Sequence, residues 1–594
     1  MSTTTTAATT QADPLHAPDA RGASEHAHLE ALLRCWLRET GTPVTPGPLR
    51  VDLPTTGLAL VTEVTHRSPT GWHRFGPTRL EGPGGPLGET ADPVTAVALL
   101  SAEAAARGGG RPGGVPAGEV ADLVERTAES VRRVAAFIAD RRGRPQPPPG
   151  VDGFLDAEQS LLLGHLNHPA PKSRDGISDH EAAAYSPELR GSFRLHWFAA
   201  DPDVVSHDAV DGAPSLAGRD TVALLADLAG RPRDDGRILV PAHPWQARDL
   251  LHRPRVKALV ASGALTPLGE LGPAWWPTSS VRTVYRPDAD VMLKLSLGLR
   301  LTNSRRESTR TELRRGLEIN RLLDAGHAAG TFAAHPGFAI TRDPAWIAVD
   351  EPGRPEGPDV TGLDVAVREV PRDIRSLRCL VGLVAPRPGL GRSALGDLVA
   401  GLGPGAAEQW TADYTDHVLV PMLHLYAATG IGLEAHQQNT LVRLDERGRV
   451  TGGTFRDNQG YYLAASHLPG LLKRLGADSS TLAVVDDALV DDRLSYYLLR
   501  NQALSVVGCL AVDGLADERA LLAVLADRLR AALPALAAAG PDGDRLARRW
   551  LTADTLPCKG NLLTRLHGID EVLAPLDAQS VYLDAPNPLQ EAAR

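Results

Sequence analysis

Apolar residues recur at helical spacing over 25–39, where Leu29, Leu32, Leu33 and Leu37 share one face, and this predicts a first helix. Strand-like runs follow at 51–64 and 71–75. Two helical regions come next, at 92–106 and 120–141, with a Gly/Pro loop at 107–118 between them. The proline-rich stretch 144–150 breaks the pattern and reads as a linker. Beyond it, 192–199 reads as a strand, 221–228 as a helix, and 237–241 as a strand running into His243-Pro244-Trp245-Gln246. The apolar runs 281–286 and 291–297 flank Pro287-Asp288-Ala289-Asp290, which predicts a hairpin. Ser304 with Glu307 fits a capping box, so a helix is expected to open at Ser304. Leu313, Leu317, Leu322 and Leu323 form its apolar side, and Gly326 stops it. A Pro/Gly break at 385–391 marks a second boundary. The remainder reads as mostly helical, interrupted by one hairpin with strands at 440–444 and 449–455 around the turn 445–448. No internal repeat is visible.

The 594 residues allow two to four domains. Residues 1–25 are Thr/Ala/Pro-rich, lack the basic-then-apolar order of a secretory signal, and read as a disordered tail. Apolar content is 43% and charged content 23%, as in globular proteins. A net charge of −10 gives no global field for nucleic acid or acidic membranes, although a local basic pocket remains open. The best membrane candidate, 417–433, is interrupted by Pro421, His424 and Gly430, so no membrane association is expected. Cys35, Cys379, Cys509 and Cys558 are far apart. That argues against a disulfide framework or a cysteine zinc site, and fits a reducing, cytoplasmic compartment.

Lysine is scarce: the chain has five, Lys172, Lys257, Lys294, Lys473 and Lys559, against 62 Lys plus Arg in all. Where arginine is the default cation, a lysine in a polar cluster suggests a need for a compact point charge. Lys172 lies in the segment 164–176 with His165, His168 and Arg174, among glycines and prolines. Cations on a stiffened turn suit an anionic ligand, phosphate or carboxylate, held by His168, Lys172 and Arg174. The three-residue spacing of His165 and His168 leaves a metal reading open as well.

A second constellation spans 279–306. Closing the predicted hairpin puts Thr283 opposite Lys294, within one residue, with Ser280 and Arg282 at the start of the first strand. Lys294, Thr302 and Arg306 follow along the second strand into the expected helix N-terminus, a natural phosphate site. Arg310, Arg314 and Arg315 are expected to face water. In the third constellation, Glu434, His436, Gln438 and Asn439 precede the 440–455 hairpin, and Arg456-Asp457 follow it. Hairpin closure brings Asn439 and Asp457 to one open end, where an amide and a carboxylate could bind Mg²⁺ carrying a nucleotide. A hydrogen-bonded polar turn is the alternative. Neither a P-loop, nor a Gly-rich dinucleotide motif, nor a G-x-S-x-G elbow is present.

Taken in order, these motifs resemble the IucA/IucC family of siderophore synthetases that work independently of nonribosomal peptide synthetases. The matching residues are Gly164-His165, His168-Pro169, Lys172, Arg174 and Gly176; His243-Pro244-Trp245-Gln246; Ser280-x-Arg282-Thr283 with Lys294, Thr302 and Arg306; Glu434-x-His436-x-Gln438-Asn439; and Arg456-Asp457. Residues 559–566 resemble the family's iron-transporter-like C-terminal segment, and the likeness runs from about residue 26 to the end. Leu166 stands where proline is common and Ile177 where an aromatic is usual.

The resemblance implies an α+β, multidomain fold likened to a cupped hand: a thumb at 26–160, fingers at 161–395 with the ATP-binding motifs, and a mostly helical, kinase-like palm at 396–594. It also implies a homodimer. The implied chemistry is ATP- and Mg²⁺-dependent adenylation of a carboxylic acid such as citrate, then condensation with an amine or alcohol and release of AMP and pyrophosphate. By position, His168, Lys294 and Arg306 would contact phosphates, and Ser280, Arg282 and Thr283 would line the nucleotide pocket. His436 and Arg306 would stabilise charge during adenylation. Glu434, Gln438, Asn439 and Asp457 would hold nucleotide, with Glu434, Asn439 and Asp457 on the metal. Lys172, Arg174, Thr302 and Lys559 would meet the substrate. A kinase-like phosphotransferase, releasing ADP, and a non-enzymatic siderophore- or citrate-binding protein are the competing classes.

Overall fold

The computed structural model describes residues 13–108, 115–216, 218–231, 236–302, 304–350, 361–475, 482–569 and 578–593. Helix formation starts earlier than the hydrophobic period announces. The Asp19 carboxylate accepts the backbone N–H of Arg21 and Gly22 and so caps the helix Ala20–Glu39. Leu15, Ala23 and Ser24 are buried, so the expected tail is corrected from residue 13 onward, while 1–12 lie outside the described residues. This helix packs with Pro93–Ala106 and Ala117–Gly143 against a small sheet built on Gly47–Leu53 and Leu58–His66. Leu562 and Leu566, from the far end of the chain, complete the same core. Glu39 accepts the N–H groups of Leu562 and Leu563, which fixes the C-terminal segment carrying Lys559 against the first helix.

The middle of the chain builds a sheet whose strand order is Val205–Ala209, Ala345–Val349, Val365–Glu369, Val291–Leu295, Thr283–Tyr285, Leu265–Pro277, Phe193–Ala200, Ile238–Ala242. The predicted hairpin forms, with Thr283 paired to Lys294. The expected helix at Ser304 does not. Ser304–Arg306 is a strand pairing with Leu297–Leu301, and the helix is Arg310–Asp324, capped by a reciprocal box of Thr309 and Glu312. Two S/T-x-x-E matches compete here. The first loses because its glutamate is used elsewhere: Glu307 receives Gln246 Nε2 and pairs with Arg253. Arg306 is therefore not at a helix N-terminus. Arg310 is corrected too, since it pairs with Asp350 and lies 4.6 Å over the Trp346 ring.

The last third is helical around more sheet than expected. Thr440–Leu444 and Val450–Phe455 form the predicted hairpin within a sheet with Phe338–Ile340 and Leu377–Cys379. Ile431–Leu433, Tyr461–Ala464 and Val484–Val485 form another sheet, and Thr555–Lys559 pairs with Tyr582–Pro586. Strands of two to five residues are too short for a period to register in sequence. Mixed helix and sheet agree with the α+β expectation. The breaks at 144–150 and 385–391 contain no helix or strand, but both are tied down. Arg190 donates to the carbonyls of Arg144, Pro145 and Gln146, and Arg142 to that of Pro388. No helix of the described residues is long and apolar enough to cross a membrane.

Candidate active site

One cleft is lined by every residue singled out from sequence as a site residue: His168, Lys172, Arg174, Ser280, Arg282, Thr283, Lys294, Thr302, Arg306, Glu434, His436, Gln438, Asn439, Asp457 and Lys559. Three of the five lysines are among them, all buried, whereas Lys257 is exposed and the side chain of Lys473 lies outside the described residues. Backbone strain also collects here. Six non-glycine residues among those described have positive φ, and three of them, Val281 (67°), Thr302 (56°) and Asp457 (109°), line the cleft. A β-branched residue such as Val281 in that region is held there by its surroundings.

Lys294, 3% exposed, donates Nζ to Asp457 Oδ1 at 2.7 Å and to Gln459 Oε1 at 2.6 Å. An ammonium has three donors, so one remains for a ligand. Burial lowers the Lys294 pKa despite the attraction of Asp457. Burial would raise the Asp457 carboxyl, but Lys294 and Arg368 outweigh it and hold it well below the usual range. Asp457 stands at the open end of the hairpin, where Arg456 N–H donates to the Asn439 carbonyl at 3.0 Å. Asn439 Nδ2 donates to the Glu434 carbonyl, which commits the nitrogen end of the amide. Glu434, Asn439 and Asp457 all line the cleft, and two carboxylates and an amide oxygen are hard donors of the kind that suits Mg²⁺. Among the described residues no cluster of three or more His, Cys, Asp or Glu suits a metal on its own.

Arg282 and Arg306 hydrogen-bond to no carboxylate, although Glu312 and Asp457 attract Arg282 from further off. Arg282 Nη1 donates to the Arg306 carbonyl and Ser308 Oγ, and Arg306 Nη2 donates to Thr302 Oγ1 and the Leu301 carbonyl. Every one of those acceptors is neutral. Burial pushes the Arg282 pKa down to about 10. Two buried or half-buried guanidiniums facing neutral acceptors make a wall that favours an anion.

The histidines are held in one tautomer. His168 Nδ1 accepts Ala170 N–H at 3.1 Å and His436 Nδ1 accepts Gln438 N–H at 3.2 Å, which leaves Nε2 to carry the proton. Burial lowers the His436 pKa to about 4 and the His165 pKa to about 3, so both are neutral near pH 7. His165 meets Asn501 Nδ2 through Nε2 rather than a second metal-binding histidine.

Lys172 and Arg174 differ from the expectation of free substrate cations. Both pair with buried Glu188, and Arg174 also donates to Ser186 Oγ at 2.7 Å. Burial would raise the Glu188 carboxyl, yet Arg174 and Lys172 hold it at about 2. One carboxylate thus answers two cations, and the pair stiffens the 164–176 loop as much as it charges it. His243-Pro244-Trp245-Gln246 does not line the cleft. Gln246 Oε1 accepts Gly298 N–H, and Trp245 Nε1 donates to the Gly176 carbonyl, so this motif braces the walls.

Other residues had no readable signal. Glu158, fully buried, accepts Ser279 N–H and Oγ–H and pairs with Arg456. Tyr496, Tyr497 and Asn501 reach the cleft from a π-helix, Ser495–Ala503. Asn501 Oδ1 accepts Gln437 N–H, and Gln502 Nε2 donates to the Ala435 carbonyl and Thr440 Oγ1, so this helix clamps the 434–440 segment. Wide-turn helices of this kind are rare and concentrate at functional sites.

A family model described as IucA / IucC family matches residues 153–385, and one described as ferric iron reductase FhuF-like transporter matches 408–573. The rhizobactin siderophore biosynthesis protein RhbC of Rhizobium meliloti (strain 1021) is 36% identical, over 96% of this chain and 99% of that protein. The spermidine-citrate ligase of Bacillus anthracis is 33% identical, over 96% of this chain and 98% of that one. The ATP-bound aerobactin synthetase IucA from a hypervirulent pathotype of Klebsiella pneumoniae matches with a TM-score of 0.82 at 28% identity, over 95% of this chain and 99% of that chain.

Proposed function

Because the chain belongs to the IucA/IucC family, we propose that it is an ATP-dependent siderophore synthetase that adenylates citrate or a related polycarboxylate and condenses it with an amine or alcohol. The observation that carries this reading is the convergence, in one cleft, of two guanidiniums whose hydrogen-bond acceptors are all neutral, a lysine with one free donor, and the carboxylates of Glu434 and hairpin-end Asp457. A polyanionic acid and a triphosphate repel each other by about 4 kcal/mol per charge pair at 4 Å in a partly screened site. Fixed cations offset that repulsion.

In the first step a carboxylate oxygen attacks the α-phosphorus, and the bond to the bridging oxygen breaks, releasing pyrophosphate. Lys294, Arg306 and His168 bind phosphate oxygens. Ser280, Arg282 and Thr283 line the nucleotide pocket beside Gln438. The neutral Nε2–H of His436 and the charge of Arg306 stabilise the added negative charge at the α-phosphate. Glu434, Asn439 and Asp457 would hold Mg²⁺, which supplies charge neutralisation at the phosphates when bound. Lys559 and Thr302 orient the acid, and Lys172 and Arg174 contribute their field through the loop that Glu188 holds. In the second step the amine or hydroxyl attacks the acyl carbon, loses its proton, and AMP leaves.

The reading extends to a cytoplasmic homodimer shaped as a cupped hand, with thumb, fingers and kinase-like palm dividing near 160 and 395. The test is ATP–pyrophosphate exchange over a panel of carboxylic acids. Exchange with citrate or a citryl compound, with AMP as product, is expected. The hairpin-end asparagine and aspartate also resemble the metal site of kinases. ADP and inorganic phosphate as products would favour that second reading, and failure to bind ATP would leave a siderophore- or citrate-binding protein.

A further inference from the structure

Arg126 lies on the helix Ala117–Gly143, outside every motif discussed above, and is 4% exposed. Its Nε donates to Ser173 Oγ at 3.0 Å, in the 164–176 loop. Its Nη2 donates to the Thr302 carbonyl at 2.9 Å and the Arg300 carbonyl at 3.3 Å. The next link is Arg306, whose Nη2 donates to Thr302 Oγ1 at 3.2 Å. One guanidinium on a remote helix therefore spans two walls of the cleft and shares Thr302 with Arg306, an arginine whose own hydrogen-bond acceptors are neutral.

We propose that Arg126 is a positioning residue for the reaction, tying the Ser173 loop to the Thr302 turn so that Arg306 is presented to the anionic reactants in one orientation. The inference rests on the adenylation reading above. Two features separate Arg126 from an ordinary tether. The turn it grips is strained: Thr302 has a φ of 56°, where a β-branched residue stays only if its carbonyl and side chain are both held. Arg126 binds the carbonyl and Arg306 binds the hydroxyl. In addition, all three hydrogen-bond acceptors of Arg126 are neutral, and Glu129, Asp175 and Glu119 attract it only from further off. Burial and neighbouring Arg300 lower its pKa to about 10. A neutral amide could have bridged these groups without the desolvation of a charge. A buried cation with only neutral acceptors is relieved when an anion enters the cleft beside it.

The geometry requires a fork. A lysine keeps the charge but cannot reach both Ser173 and Thr302. Arg126→Lys is therefore expected to lower kcat for pyrophosphate exchange at least tenfold, with KM for ATP within about threefold and the thermal midpoint close to wild type. Adding it to Arg306→Gln should cost nothing further, because the two act through one link. Ser173→Ala, which removes one tether and leaves the buried charge in place, should give a smaller loss of the same kind and keeps the test open if Arg126→Lys does not fold. Wild-type rates in Arg126→Lys and Ser173→Ala, or full additivity with Arg306→Gln, would overturn the inference. If the wild-type protein itself shows no exchange with any acid, the adenylation reading fails instead. The same variants, compared by ATP-induced thermal shift, then decide whether Arg126 and Arg306 are coupled: non-additive shifts support the link and additive ones remove it.

Discussion

Lys294 and Asp457 are 163 positions apart in sequence, yet the Lys294 ammonium lies 2.7 Å from Asp457 Oδ1. This contact joins the Val291–Leu295 strand to the turn beyond Val450–Phe455, and so joins two of the three constellations. It also leaves Lys294 with one donor for a ligand and Asp457 with one oxygen.

Lys294→Ala should lose pyrophosphate exchange by at least 100-fold, since the charge that meets phosphate is gone. The variant should also be less stable, by up to about 3 kcal/mol, because a mostly buried carboxylate loses its partner. Lys294→Arg should be impaired too, as a planar fork does not fit where a point charge meets Asp457 and Gln459. Exchange assays and urea midpoints check both. Unchanged exchange in Lys294→Ala would make the lysine structural.

Asp457→Asn should raise the Mg²⁺ concentration needed for half-maximal activity roughly tenfold or more, with saturating rates less affected. The substitution removes a carboxylate from the hairpin end while keeping its size. A Mg²⁺ titration of exchange decides it, and an unaltered requirement would leave Asp457 as the counter-ion of Lys294 alone.

His436→Ala should lose the hydroxamate that hydroxylamine traps from ATP, Mg²⁺ and acid without nucleophile, while retaining most ATP binding. Its role is placed at the transition state. With its pKa lowered to about 4 by burial, wild-type exchange should show no His436-dependent loss between pH 7.5 and 5.5. An inflection near pH 6.5 that vanishes in the variant would contradict the neutral donor. So would ATP binding that falls in step with activity.

Glu188 links acid stability to the site. Its folded pKa, about 2, lies below the ordinary glutamate value of 4.5, so its contribution is fully present above about pH 4.5 and is lost as pH falls toward 2. Glu188→Gln should flatten that part of the urea-midpoint profile. At pH 7 the variant should be destabilised by about 3 kcal/mol, because Lys172 and Arg174 lose their shared counter-ion. An unchanged acid slope would place the acid-labile carboxylate elsewhere.

Local chemistry made much of the site readable before any fold was known. The Pro287–Asp290 turn fixed the register of Thr283 against Lys294, and the 445–448 turn brought Asn439 and Asp457 together, because a hairpin's turn and alternation set its pairing over a few residues. Scarce lysines marked three positions in one cleft, since a cation kept at a distinctive residue type leaves a trace in composition. The sequence by itself thus singled out side chains that line one cleft, and it set how each hairpin presents them. Only the tertiary structure decided which charges remain free. Glu188 claims Lys172 and Arg174, Glu307 is drawn to Gln246 and Arg253 so that the helix opens at Arg310 rather than Ser304, and Arg282 and Arg306 find only neutral acceptors. Those outcomes depend on partners from 4 to 61 residues apart competing for the same atoms, and the strength of each pairing is set by burial, which no local pattern encodes.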